Sequence, residues 1–190
     1  IGGFSRPPVI CVPSGNLGNL TAGILAHMAG MPANHFIAAH NANDFFPRFL
    51  VGGGDHYRDS IRTCSNAMDV GVPSNFERLR HLLPPEKMRR LILGDSVTDE
   101  QTMESMRRVH EETGYIADPH TAVALEAVRR RISAGETGPF VVASTAHPAK
   151  FPDVVEQAIG RKPETPSALA SLMHLPTEVT PIPPSLSALE

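Results

Sequence analysis

Lysine and cysteine are scarce in this 190-residue chain. Only Lys87, Lys150 and Lys162 are lysines among 17 basic residues, and the two cysteines are Cys11 and Cys64. Two cysteines cannot make a disulfide framework, and neither has a cysteine neighbour at metal-ligand spacing. A reducing compartment is the simpler reading. Apolar runs are short and broken by Gly, Pro or charge, which excludes a membrane-spanning helix and gives no reason to expect a membrane partner. No basic stretch followed by an apolar one opens the chain, so no signal peptide is read and the cytoplasm is expected. The start at Ile1 rather than Met reads as a piece of something longer. A net charge of -3 gives no global attraction for nucleic acid. A Walker loop, the G-x-G-x-x-G fingerprint, H-E-x-x-H and any fixed-period repeat are all missing. Nine histidines are present, but His35 and His40 lie across a strand end without a Cys or carboxylate at ligand spacing, so no metal is expected.

The rest has the composition of a chain that folds around a core, at 41% hydrophobic, and its length suits one domain or one plus a small appendage. Residues 9–12 (VICV) form a β-branched apolar run stopped by Pro13, Ser14 and Gly15, the pattern of a buried strand. Leu20, Ile24, Leu25 and Met28 then recur at helical spacing, with Gly30 as a stop. Residues 35–39 (HFIAA) read as a second strand, so the opening is a βαβ unit and predicts a parallel α/β sheet. Residues 44–50 read as a short helix, and 74–83 as a helix begun by a capping box of Ser74 and Glu77 and ended by Pro84 and Pro85. Residues 98–112 read as a helix with a box of Thr98 and Gln101, and 121–132 as an amphipathic helix closed by Gly135. Its Arg129-Arg130-Arg131 end is read as a solvated cap that suits the helix's negative pole. Residues 140–143 (FVVA) are the third expected strand, and 152–159 a helix with Pro early. We expect 1–162 to be the structured part and 163–190 an irregular Pro-rich tail.

Four segments carry polar chemistry. In residues 12–19 (VPSGNLGN) a glycine turn joins strand to helix, where free N–H groups and the positive helix end suit a phosphate; a tight turn with an N-cap is the structural alternative. Residues 143–151 (ASTAHPAKF) follow a strand's carboxyl end, so Ser144 and Thr145 either wall a ligand pocket or cap the next helix. In residues 63–69 (TCSNAMD) the polar side chains satisfy nearby backbone or bind a small polar ligand. Asn43 and Asp44 lie in a further polar turn, with Arg48 within reach as a phosphate fork.

Five blocks, VPSGNLGNLTAGILA, FIAAHNANDFFPRFL, TCSNAMDVGVPSNFERL, GYIADPHTAVALEAV and STAHPAKFPDVV, stand in the order and spacing of the threonine synthase family. The resemblance covers roughly residues 9–160 and is to the C-terminal portion of the family's longer type. It implies part of the parallel-sheet, three-layer α/β fold of the tryptophan-synthase-β-like (type II) pyridoxal-phosphate enzymes, with 1–162 as the C-terminal part of the large cofactor-binding domain. It implies pyridoxal 5'-phosphate as cofactor and O-phospho-L-homoserine, turned with water into L-threonine and phosphate, as substrate. By the same resemblance Gly15, Asn16, Leu17, Gly18 and Asn19 hold the cofactor's phosphate, with Leu17 where the family often has Phe. Thr145 resembles the hydroxyl at the pyridine nitrogen, with Ser144 as its neighbour if the register slips by one. Asn43, Arg48, Ser65, Asn66, Asp69 and Lys150 lie in motifs that line or flank the substrate. The family's Schiff-base lysine lies upstream of the phosphate loop, whereas all three lysines here lie after it. The resemblance therefore implies no catalytic lysine in this chain, a missing N-terminal half as its partner, and an isolated chain that is inactive and either associates or is marginally stable. A non-catalytic relative that binds phosphate metabolites is the alternative, as is a related lyase or dehydratase acting on another hydroxy or phospho amino acid.

Overall fold

Strand β1 (Val9–Pro13) sends Val12 to one face of a sheet and Val9 and Cys11 to the other; β2 (Phe36–His40) divides Phe36 and Ala38 from Ile37 and Ala39 in the same way. Period-two alternation with both sides apolar is the signature of a strand covered on both faces. Residues 4–172, 175–183 and 185–188 are described by the computed structural model. Among them the sheet is fully parallel and four-stranded, in the order β3-β2-β1-β4, with β3 at Ile92–Ser96 and β4 at Phe140–Val142. The α/β class and parallel pairing agree with expectation. The strand at Ile92–Ser96 is an addition to it.

Helices cover both faces. On one lie α1 (Gly18–Met28), α2 (Phe45–Leu50), α3 (Asn75–Leu82) and α4 (Pro85–Leu91), packed around Leu20, Ile24, Phe46, Phe76, Leu79 and Met88. On the other lie α5 (Asp99–Thr113) and α6 (Pro119–Ser133), with α7 (Pro152–Ile159) beyond them. Val123, Ala124, Ala127 and Val128 of α6 seat directly on the sheet. The result is helix, sheet, helix. Gly94 of β3 makes the first face possible, because a Cβ there would stand 2.7 Å from the Pro47 Cα of α2.

Three local expectations need correction. Thr98 and Gln101 make the capping box, but Ser74 does not: its backbone is helical and its hydroxyl donates to Asn16 Oδ1 at 3.0 Å. Pro84 and Pro85 end α3, yet Pro85 opens α4 at once, where Pro is tolerated in the first turn. Arg130 is not a solvated cap. It reaches Asp95 at 2.7 Å and the Ser96 carbonyl at 2.9 Å, which ties α6 to β3. Beyond residue 163 the described part holds one short helix, α8 (Ser167–Leu172), and a 3-10 turn at Leu186–Ala188.

The strand order places the site. β1, β2 and β3 succeed one another in one direction, with their connections on one face. The chain then returns through α5 and α6 on the opposite face to lay β4 against the other side of β1. The direction of winding reverses between β1 and β4, and the crevice outside the carboxyl ends of those strands is where open α/β sheets take ligands.

Candidate functional site

A cleft of about 270 Å³ opens at that reversal. Residues 13–20 form one wall, Ala67 and Met68 a second, and His120 and Thr145 complete it. The loop after β1 is held from several sides. Ser14 donates its amide to the Ala39 carbonyl at 2.7 Å and its hydroxyl to the Val12 carbonyl at 2.8 Å. Asn16 Oδ1 accepts from the Ser74 amide at 2.6 Å, and the Asn16 carbonyl accepts from Asn75 Nδ2 at 2.9 Å. Gly15 lies so close to the 3-10 turn Asn66–Met68 that a Cβ would meet the Met68 Cα at 2.7 Å. Leu17 takes a left-handed conformation, φ 62°, while its side chain is buried in the core below.

That conformation turns the backbone into α1. The first intrahelical bond runs from the Thr21 amide to the Leu17 carbonyl at 2.9 Å. Among the described residues no hydrogen bond uses the amides of Gly15, Asn16, Leu17, Gly18, Asn19 or Leu20. Six successive unclaimed donors at the positive end of an 11-residue helix are suited to an anion with several oxygens. The donor set fits a phosphate, and the cleft that extends beyond the loop leaves room for a larger molecule to carry it.

The far wall is set by α6. Asp118, fully buried, caps the helix by accepting from the His120 amide at 2.9 Å and the Thr121 amide at 3.2 Å. Thr121 also donates to Asp118 and sits 3.2 Å from the Ser144 hydroxyl. Ser144 is thus occupied with α6, and the next residue, Thr145, lines the cleft.

His120 was not among the expected site residues. It is 6% exposed, its ring packs edge-on against Phe151 with centroids 4.9 Å apart, and its Nε2 is buried without a partner. Burial holds its pKa below the ordinary histidine value, Asp118 and Asp69 oppose that shift, and Lys150 adds to it. The sequence signal was local: a histidine after Asp-Pro at a helix start, where the first turn faces the strand ends.

The expected phosphate residues, Gly15, Asn16, Leu17, Gly18 and Asn19, and the expected hydroxyl, Thr145, are brought together around one cleft. The expected substrate residues are not brought to it. Asn43 and Arg48 border a separate hollow of about 50 Å³, too small for a cofactor. Asn41 is the hub of a buried polar network, donating from Nδ2 to Thr63 Oγ1 at 2.8 Å, Ser65 Oγ at 2.9 Å and Asp69 Oδ1 at 2.9 Å. Asn43 Nδ2 reaches Asp69 Oδ1 at 3.1 Å. This network anchors the segment that carries Ala67 and Met68 to the cleft. Asn66 is exposed beside them, and Lys150 is exposed after the 3-10 turn Pro148–Lys150 begins. Lys87, Lys150 and Lys162 are all exposed, and none lines the cleft.

Comparison with known proteins gives matches to two family descriptions. The family described as pyridoxal-phosphate dependent enzyme matches residues 2–145, and that described as threonine synthase, C-terminal, matches residues 121–190. A threonine synthase of Serratia marcescens is 44% identical over 95% of this chain and 42% of its own length. The crystal structure of threonine synthase from Escherichia coli superposes with a TM-score of 0.85 at 39% identity, covering 100% of this chain and 44% of that one. A PLP-bound threonine synthase from Brucella melitensis gives a TM-score of 0.82 at 34% identity, covering 90% of this chain and 42% of that one. The chain thus spans less than half the length of these relatives.

Proposed function

This chain belongs to the pyridoxal-phosphate-dependent enzyme family and resembles the C-terminal portion of its threonine synthases, and we propose that it serves a protein converting O-phospho-L-homoserine and water into L-threonine and phosphate. The observation that carries the reading is the row of six unclaimed amides from Gly15 to Leu20, facing a cleft at the sheet's reversal point. Those amides would hold the phosphate of pyridoxal 5'-phosphate, and Thr145 would meet the nitrogen of its ring. When bound, the cofactor supplies an electron sink for the carbons of an amino acid.

The chain's own residues do the positioning. Leu17 and Ser14 fix the loop so that its donors are arranged before any ligand arrives, which spares the reorganisation a flexible loop would need. A neutral hydroxyl at the ring nitrogen does not hold it protonated as a carboxylate would. The nearby carboxylate on α6, Asp118, does not line the cleft, and its oxygens are taken by two amides and Thr121. We assign Asn43, Ser65 and Asp69 a supporting role through the network that sets the Ala67–Met68 wall, and Arg48, Asn66 and Lys150 to the flank from which a phosphorylated substrate enters. The lysine that carries the cofactor covalently would come from a segment outside this chain, which accords with the 42% share of the relatives' length. No helix among the described residues is long and apolar enough to cross a membrane. We propose the cytoplasm as the protein's location on the threonine-forming reaction assigned above.

The test is on the whole protein. With pyridoxal phosphate bound, O-phospho-L-homoserine should yield threonine and inorganic phosphate in equal amounts. Cofactor binding without turnover would favour the binding-protein alternative. Turnover of another hydroxy or phospho amino acid in its place would move the assignment to a related lyase or dehydratase.

A further inference from the structure

Four buried side-chain nitrogens have no hydrogen-bond partner among the described residues, one each in His40, His110, His120 and Arg131, whereas His35 Nε2 lies 3.0 Å from Glu136 Oε1. Only His120 also lines the cleft. Its other ring nitrogen, Nδ1, is 3.9 Å from Asp118 Oδ1, beyond hydrogen-bond length, and that oxygen already accepts two amides. Phe151 blocks one side of the ring, and the Asp118 cap fixes the backbone from which it projects. A buried imidazole held this firmly with nothing to bond carries an uncompensated cost, and such groups persist in native proteins where a ligand completes them.

We propose that His120 is a further cofactor-contact residue, whose Nε2 bonds the ring edge of the bound pyridoxal phosphate, beside Thr145 and opposite the phosphate loop. The placement follows from the lining. With the phosphate on the amides of residues 15–20, the polar side chains left on the facing wall are His120 and Thr145. Three charged groups act on the ring: Asp118 on its own helix, Asp69 from the polar network and Lys150 from the segment after β4. Burial dominates them and keeps the imidazole neutral at pH 7, able to donate one N–H without placing a cation in the cleft. The proposal rests on the cofactor reading above.

The experiment uses the whole enzyme with cofactor. In wild-type protein with ¹⁵N-labelled histidine, pyridoxal phosphate should shift the His120 ring nitrogens, and inorganic phosphate, which fills only the loop, should leave them in place. His120→Leu should weaken cofactor retention about tenfold or more and move the absorption maximum of the bound cofactor. His120→Gln, which keeps a donor, should retain both within about threefold. In His120→Gln, kcat should change more than KM, because the contact is to the cofactor and not to the substrate. Unmoved His120 resonances on cofactor addition, or wild-type affinity and spectrum in a folded His120→Leu, would overturn the assignment while leaving the cofactor reading intact. Failure of the wild-type protein to take up pyridoxal phosphate would sink both.

Discussion

A methyl group on Gly15 would stand 2.7 Å from the Met68 Cα and 3.0 Å from its carbonyl oxygen, both backbone atoms that cannot rotate away. Gly15→Ala therefore pushes the phosphate loop off the Ala67–Met68 wall. We predict a loss of cofactor affinity of about tenfold or more, with a stability cost of about 1–3 kcal/mol. Fluorescence titration with pyridoxal phosphate and urea unfolding would measure the two, and unchanged affinity would show that the loop does not need this contact. His40 shows a different residue-scale effect. It is 1% exposed at the end of β2, and burial brings its pKa down to about 4 from 6.5. Between those values the unfolded chain binds the proton and the folded one does not, so stability rises with pH across that window. The stability is complete above pH 6.5 and is lost as pH falls toward 4, by on the order of 3 kcal/mol. His120 shifts the same way. Glu126 works in a lower window: Arg129, Arg108 and Arg130 hold its carboxyl down to about 2, so that stability is present above pH 4.5 and lost as pH drops toward 2. Urea unfolding at several pH values should show the upper slope flattened in His40→Leu, and a slope that persists there would assign it elsewhere.

Two helix starts show what local sequence can and cannot reveal. The box of Thr98 and Gln101 is complete within four residues, and α5 was legible from it. At α6 the apolar rhythm becomes readable only at Thr121, so the helix start is expected there, although Asp118 as cap with Pro119 after it is a local start signal; what that signal leaves out is the burial of His120, which depends on Phe151 packing nearby. Ser74 is the converse case. The box pattern is present, but Asn16, 58 residues away, takes the hydroxyl. The two caps should also differ in consequence. Thr98→Ala removes an exposed bond and should cost about 1 kcal/mol, with cofactor affinity unchanged. Asp118→Ala strips a buried cap from two amides and Thr121, and should cost about 2 kcal/mol or more. Because Thr121 in turn meets Ser144, it should also weaken cofactor binding through Thr145. Equal effects of the two substitutions on binding would break the proposed link between the α6 cap and the cleft.

At the scale of the molecule, the parallel sheet and the phosphate loop were legible because each is written in a contiguous run. Strand β3 was not. It follows Leu91 of α4 without a breaker, and its Gly94 and Asp95 are poor strand formers, kept for the α2 contact and the Arg130 ion pair. Those demands come from other elements and leave no local trace. The same architecture leaves the described sheet open at both sides: β3 pairs only with β2, and β4, three residues long, pairs only with β1. Leu25 and Met28 on α1 and Ile132 on α6 add exposed apolar surface. An unpaired parallel edge is a template for another strand. We predict that the 190-residue chain alone associates in a concentration-dependent way and melts over a broad range. Val141→Lys places a charge in the middle of the β4 edge and should reduce the association without touching the cleft. Sedimentation velocity over a range of concentrations is the measurement. A monodisperse wild-type monomer with a sharp cooperative melt would mean that these edges are adequately protected within the chain itself, and that its core suffices without further segments.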